Sequence, residues 1–171
     1  MMSKEELNAA KRVMATSKKM VDRGFVVGTW GNVSTRIEEK IVITPSRMSY
    51  DKLSPEDMVI VDMDGNVIKG KWKPSIETPL HAAIYKARKD VNAIVHTHSI
   101  FASAVAVTRC GIPPIIEDLV QIVGGEVNLA AYALPGTEEL AGNAVKALSD
   151  KNAVLLANHG LIGVGRDLEE A

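Results

Sequence analysis

Apolar residues along this chain fall into two kinds of pattern, a helical spacing in some stretches and short continuous or alternating blocks in others. Leu7, Ala10, Val13, Met14 and Val21 share the face of one helix, behind a Ser3-Lys4-Glu5-Glu6 capping box and ahead of Gly24 as a stop. Phe25 to Val27 and Ile41 to Thr44 are short blocks that predict strands, joined through the segment Gly28-Thr29-Trp30-Gly31-Asn32-Val33-Ser34. Met58 to Met63 and Asn66 to Lys69 flank Asp64-Gly65, a dipeptide suited to a tight hairpin because glycine tolerates positive φ. The first half therefore reads as a strand meander behind one helix.

In the second half, Thr78 is placed to cap a helix with Pro79 in its first turn and a buried stripe of Leu80, Ala83, Ile84 and Ala87. Ala93-Ile94-Val95 predicts a strand running into His96-Thr97-His98, and Ser99 begins a short helix to Val107. Ile112-Pro113-Pro114-Ile115 is a rigid connection, and Glu126 to Leu134 contains a further strand. Thr137 caps a helix in which Glu138 and Glu139 complement the positive end of the dipole, while Leu140, Ala144, Val145 and Leu148 face inward. Strand Ala153 to Ala157, the turn Asn158-His159-Gly160, strand Leu161 to Val164 and a helix start at Asp167 follow. Helices interspersed with hairpins predict an α/β domain on a largely antiparallel or mixed sheet. The last residues reach one turn into that final helix, too short a piece to stand alone, so a continuation is expected in the protein or its relatives.

A chain of 171 residues is the size of one domain. Its 20 basic and 21 acidic residues leave a formal charge of −1, with no basic stripe for a nucleic-acid backbone. Cys110 is the single cysteine, which excludes an intramolecular disulfide framework, and the charged start Met1-Met2-Ser3-Lys4-Glu5-Glu6 does not read as a signal peptide. The longest apolar stretches, such as Ile100 to Val107, fall short of a membrane span. The expectation is a cytoplasmic protein acting on a small molecule, without nucleic-acid or membrane partners.

Candidate chemistry centres on histidine. Residues i and i+2 of a strand project from one face, so His96 and His98 would point the same way. Two half-buried histidines closing a strand would look the same. His159, behind the apolar run ending at Ala157, favours a metal, because three imidazoles without a thiolate suit a catalytic zinc or similar divalent ion with one position open. The remaining histidine, His81, lies just beyond Pro79 and reads as a partly buried helix residue with a minor role. Glu77 stands at the mouth of the same helix, where burial and the helix dipole tune a carboxylate for acid/base work; on its own it would be a surface glutamate stabilising the helix end. Gly31, Asn32, Ser34, Thr44, Ser46 and Ser75 offer amides and hydroxyls of the kind that cradle a phosphate without lysine. Gly24, Gly28 and Gly31 make no dinucleotide fingerprint, and Gly163-Val164-Gly165 lacks the third glycine, so nicotinamide chemistry is not expected.

Taken together, Gly31-Asn32-Val33-Ser34, Ile43-Thr44-Pro45-Ser46, Pro74-Ser75-Ile76-Glu77, Val95-His96-Thr97-His98 and Asn158-His159-Gly160-Leu161 resemble, in this order and spacing, the class II aldolase/adducin family. The resemblance runs from Leu7 to Ala171, with L-fuculose-1-phosphate aldolase-like enzymes as the nearest branch. It implies a single three-layer αβα domain over residues 1–171 around a mostly antiparallel sheet, without the family's C-terminal helix, which supplies an aromatic residue to the active site. It also implies a homotetramer with active sites at subunit interfaces, and Zn2+ or another divalent metal such as Co2+, Mn2+ or Fe2+. Carried over by position, His96, His98 and His159 would ligate the metal, and Glu77 would ligate it at rest and then act as acid/base. Gly31, Asn32, Ser46, Arg47, Ser75 and Ile76 would be the phosphate-binding positions. The implied reaction is cleavage of a ketose 1-phosphate, in which the metal stabilises the charge of an enediolate as it develops.

Two positions depart from that branch, which has glycine where this chain has Arg47 and a second serine where it has Ile76. A guanidinium can take over anion binding from a lost hydroxyl, or the departures can signal a different acid. The branch's acid/base tyrosine aligns with Glu117, a second catalytic candidate. A carboxyl there is similar to the related methylthioribulose-phosphate dehydratases, although Glu117-Asp118 would also pass as a solvated pair before a helix. The readings to separate are therefore a metal-dependent aldolase, a dehydratase-like lyase, and another sugar-phosphate enzyme such as a 4-epimerase or a decarboxylase. A catalytically silent module like the adducin head is the non-enzymatic alternative, and such heads lack the histidines kept here.

Overall fold

The Ser3 hydroxyl accepts from the Glu6 amide at 3.1 Å and the Glu6 carboxylate accepts from the Ser3 amide at 2.7 Å, so the N-terminal capping box forms and starts helix α1 (Lys4–Asp22). In the computed structural model, which describes every residue from Met1 to Ala171, the buried stripe of this helix is Glu6, Ala9, Ala10, Val13, Ser17 and Met20. Leu7, Met14 and Val21 lie at its margins. Two polar residues thus sit on the inner face. Ser17 returns its hydroxyl to the Val13 carbonyl at 2.8 Å, and Glu6 receives Lys69 at 2.7 Å and Lys40 at 3.3 Å.

Those lysines and the Ser3 cap hold the Glu6 carboxyl down from 4.5 to about 2, with burial opposing them. A carboxyl depressed in the folded state stabilises the protein above its ordinary pKa and loses that contribution as pH falls through the folded value. Glu6→Gln is therefore expected to cost about 1–2 kcal/mol near neutrality, a figure discounted for the solvent that reaches both lysines. The gap from wild type should close as pH falls from about 4.5 towards 2, checked by urea midpoints measured across that range.

The remaining α-helices are α2 (Thr78–Ala87), α3 (Ile100–Val107) and α4 (Glu138–Leu148), beside single 3-10 turns at Tyr50–Lys52 and Pro55–Asp57 and a π-helical turn at Leu119–Val123. The strands are β1 (Asn32–Ile37), β2 (Lys40–Ile43), β3 (Val59–Asp62), β4 (Val67–Lys69), β5 (Ala93–Thr97), β6 (Asn128–Ala130), β7 (Ala153–Leu156) and β8 (Gly160–Gly165). They form one eight-stranded sheet in the order β4-β3-β2-β1-β5-β8-β7-β6, antiparallel throughout except for the parallel pair β6 and β7. Alternation along the strands divides the core between two faces. Ile41, Ile43, Val59, Val61, Ile94, Val154 and Leu156 pack with α2 and α4 on one side. Val33, Val42 and Ile60 pack under α1, and Leu155 under α3, on the other. The result is the expected three-layer αβα arrangement on a mostly antiparallel sheet.

Several boundaries differ from the sequence expectation. Phe25 to Val27 is not a strand: Phe25 and Val27 are exposed, and Phe25 contributes one carbonyl, to the His98 amide at 3.0 Å. The strand begins instead at Asn32, inside the polar segment read as a connection. Thr78 does not cap α2; Glu77 occupies the cap position without a side-chain bond to the helix amides, while the Thr78 hydroxyl donates to the Ser75 carbonyl at 2.7 Å. The buried face of α2 is Leu80, His81, Ala82, Ile84 and Tyr85, with Ala87 exposed. At Asp167 there is a single turn, its carboxylate accepting from the amides of Glu169 and Glu170, rather than a helix. No helix is long and apolar enough to cross a membrane.

Candidate active site

Helix α2 meets strand β1 along a polar seam. Four residues of helix advance about 6 Å and two residues of strand nearly 7 Å, so side chains at i, i+4 and i+8 of a helix can step along i and i+2 of a strand. Glu77, His81 and Tyr85 have the helical spacing and Asn32 and Ser34 the strand spacing, on the face of β1 opposite Val33. The contacts alternate between them. Tyr85 Oη lies 2.8 Å from Ser34 Oγ, Ser34 Oγ 2.7 Å from His81 Nδ1, and His81 Nε2 2.5 Å from Asn32 Oδ1. Asn32 Nδ2 donates to Glu77 Oε2 at 2.7 Å. Arg36 anchors the far end by donating to the Tyr85 carbonyl at 3.1 Å. Burial pushes the His81 imidazole down to about 3, so the ring is neutral, and pushes the Tyr85 phenol above its ordinary range.

Strand β5 delivers the histidines against this seam. His96 pairs across the backbone with Asn32 on β1 and Ile162 on β8, and shares the α2 side of the sheet with Ile94. Backbone approaches are tight here. At Gly31, with φ +72°, an added Cβ would lie 2.7 Å from the His96 carbonyl oxygen, and at Gly160 it would overlap the carbonyl oxygen of Thr97. His98 follows the strand, with its ring 5.3 Å from that of Trp30, and His159 enters from the β7–β8 turn. The three imidazoles offer ligand nitrogens all within 4.8 Å of one another.

The donor set fits a divalent cation. His96 Nδ1 is 3.0 Å from the Leu161 carbonyl, which requires an N–H there and leaves Nε2 facing the cluster, 3.0 Å from His98 Nε2. Two imidazole lone pairs at that distance repel unless a cation or proton lies between them. Glu77 Oε2 stands 3.2 Å from His96 Nε2, and Oε1 stands 3.5 Å from His159 Nε2. Oε1 is buried without a hydrogen-bond partner, as is His159 Nδ1. Burial would raise the Glu77 carboxyl, but His96, His159 and the Asn32 amide hold it well below the usual carboxylate range. Burial opposes protonation of His96, yet the adjacent Glu77 raises its pKa. His98 is pushed down to about 4 and His159 is also lowered, chiefly by burial and then by His96, so both present neutral lone pairs.

Above this floor opens a cavity of about 660 Å³ lined by Gly31, Asn32, Ser46, Arg47, Ser75, Ile76, Glu77, His98 and His159, together with Trp30, Thr29, Pro45, Pro135 and Asn158. Every expected substrate-binding position therefore reaches it, but with different atoms available. The amides of Ser46 and Ser75 donate to the carbonyls of Lys73 and Thr44, and the Asn32 side chain is engaged by Glu77 and His81. The amides of Gly31, Arg47 and Ile76 donate to no protein acceptor. The exposed Arg47 forms no ion pair and holds φ at +58°, a left-handed backbone that costs a non-glycine residue about 1–2 kcal/mol. The structure does not bring Glu117 to the cavity of its own chain: its carboxylate is exposed and accepts from Gln121 at 2.8 Å. His81, expected to be marginal, is wholly buried and central to the seam. Ser34 and Thr44, expected among the phosphate-cradling hydroxyls, do not line the cavity: Ser34 is buried in the seam, and the Thr44 hydroxyl accepts from the Val33 amide at 3.3 Å. Tyr85 and Trp30 also join the site's surroundings, and the 77/81/85 spacing against 32/34 is the sequence signal for Tyr85.

Residues 11–171 match the model of the family described as Class II Aldolase and Adducin N-terminal domain. The chain is 40% identical over 163 residues to a 5-deoxy-D-ribulose 1-phosphate aldolase of Bacillus thuringiensis serovar kurstaki, covering 94% of this chain and 76% of the relative. It is 36% identical over 167 residues to an L-fuculose phosphate aldolase of Escherichia coli K12, covering 98% and 77%. A solved L-fuculose 1-phosphate aldolase superposes with a TM-score of 0.93 at 35% identity, over 100% of this chain and 80% of that one. These relatives are named as aldolases, enzymes that cleave a carbon–carbon bond. The chain belongs to the class II aldolase and adducin N-terminal domain family.

Proposed function

We propose that this protein is a divalent-metal-dependent aldolase that cleaves a ketose 1-phosphate into dihydroxyacetone phosphate and an aldehyde. The observation that carries the reading is the buried, partnerless Oε1 of Glu77 among three imidazoles, beneath a rim of free amides. His96, His98 and His159 would hold Zn2+, or Co2+, Mn2+ or Fe2+, with Glu77 as the carboxylate beside it. Such an ion supplies positive charge where negative charge develops on the oxygens of the three-carbon fragment. The rest falls to the chain. The amides of Gly31, Arg47 and Ile76, the Ser46 and Ser75 hydroxyls and the Arg47 guanidinium hold the phosphate. When the C3–C4 bond breaks, its electron pair stays with C3; the C4 hydroxyl passes its proton to the Glu77 carboxylate as the aldehyde forms, and Glu77 returns that proton to C3.

Names of the relatives support a sugar of the fuculose phosphate or 5-deoxyribulose phosphate kind. Arg47→Ala is expected to raise KM for the phosphorylated substrate about tenfold, as loss of one charge-assisted contact, while kcat stays within about twofold. Steady-state kinetics checks both. A homotetramer in the cytoplasm is part of the same reading. Exposed Ile100, Phe101, Ile115, Ile116, Val120 and Ile122 support burial of this surface against another copy, and Glu117, lying among them, would then serve a neighbouring cavity as second proton carrier. The test of the reaction is product analysis after incubation with fuculose, ribulose, 5-deoxyribulose and methylthioribulose 1-phosphates. Dihydroxyacetone phosphate is expected; a dehydrated diketone in its place would make the protein a dehydratase, and no turnover at all would favour the catalytically silent module.

A further inference from the structure

We propose that His81, Ser34 and Tyr85 are positioning residues: with Asn32 they form a one-way hydrogen-bond relay that fixes the carboxylate of Glu77 for proton transfer. The direction follows from the atoms. Glu77 Oε2 can only accept, so the group facing it at 2.7 Å is the Asn32 amide NH2. That orientation leaves Asn32 Oδ1 toward His81 Nε2, which must therefore carry the ring proton. A neutral ring then has its lone pair on Nδ1, so the single Ser34 hydroxyl proton points to Nδ1 and the Tyr85 phenol donates to Ser34 Oγ. Each link has one donor and one acceptor, and every bond points toward Glu77.

Ser34, His81 and Tyr85 are each 0% exposed, so solvent cannot replace a missing member. If His81 took the other tautomer, its Nε2 lone pair would oppose Asn32 Oδ1. The amide would have to turn over, and oxygen would then face the carboxylate. In the assigned direction, Oε2 is held and Oε1 is the atom left free toward the cavity. None of the three positioning residues lines the cavity, so they act on the reaction only through Asn32 and Glu77.

The kinetic arm of the test rests on the proposed aldolase reading; the spectroscopic arm does not. Long-range 1H–15N correlation on 15N-histidine-labelled protein should show His81 as the Nε2–H tautomer, and an Nδ1–H or doubly protonated ring would overturn the relay whatever the enzyme's substrate. Ser34→Ala should leave His81 in the Nε2–H form set by Asn32 but strip the bond from its Nδ1 lone pair, read as a shift of the Nδ1 15N resonance, and lower kcat about tenfold or more, with KM within about twofold and metal content unchanged. Ser34→Thr, which keeps the hydroxyl, should restore both signals. A shifted Nδ1 resonance with unchanged kcat would overturn the functional role. If Ser34→Ala does not fold, Tyr85→Phe carries the kinetic test. A fall in kcat of about threefold at constant KM supports the relay, and an unchanged kcat contradicts it.

Discussion

Glu77→Gln is expected to lower kcat by about 10²–10⁴-fold, the range over which a positioned proton carrier contributes, while the protein keeps more of its metal than of its activity. The amide is nearly isosteric with the carboxylate and its oxygen can still accept from Asn32, so the seam between α2 and β1 survives. Two properties are lost. The NH2 replaces the free Oε1 that faces His159 at 3.5 Å, and it can neither accept nor return a proton at the substrate carbon. The three imidazoles remain to bind the ion, without the carboxylate's negative charge. Metal analysis and kcat on the same preparation separate the roles. Equal loss of both would make Glu77 chiefly a ligand and would leave the proton to another group.

His98→Ala is expected to abolish stoichiometric metal binding and activity while leaving the fold intact. His98 is the ligand candidate best suited to this test. Its ring is only partly buried, its backbone amide still donates to the Phe25 carbonyl in alanine, and neither main core includes it. His96 would be a poor choice, because it is completely buried and its Nδ1 ties β5 to Leu161. Since a metal that binds only the folded state stabilises it, chelation should lower the melting temperature of the wild type and leave that of His98→Ala unchanged. Wild-type metal content with retained turnover in the variant would remove His98 from the site.

What could be read from the sequence was what depends on neighbours along the chain. The Ser3–Glu6 capping box, the Asp64-Gly65 hairpin and the Thr137 cap of α4, whose hydroxyl accepts from the Leu140 amide at 3.2 Å, are local devices. The histidines were legible because metal-type ligands are few and their i, i+2 spacing has a direct geometric meaning. Strand β1 was not legible, because the face it turns toward α2 carries Asn32 and Ser34, and a polar buried face looks like a loop to any hydrophobic pattern. His81 is hard to read for the same reason. Its partners lie 47 and 49 residues away, so its worth appears only once helix and strand are laid together. Thr78 looked like the better cap, yet Glu77 holds that position with its carboxylate released toward the histidines. The departures at Arg47 and Ile76 concern side chains, whereas both residues present unpaired backbone amides, a property that side-chain identity does not encode.

As proposed, the His96, His98, His159 and Glu77 cluster would hold a divalent ion required for cleavage of a carbon–carbon bond. The most direct test is the rate of dihydroxyacetone phosphate release from fuculose and 5-deoxyribulose 1-phosphates, followed before chelation, after chelation and after return of Zn2+, Co2+, Mn2+ or Fe2+. Release that chelation abolishes and one of these ions restores is the expected result. Release that persists undiminished in metal-free protein, or none from any ketose 1-phosphate in the metal-loaded protein, would contradict it.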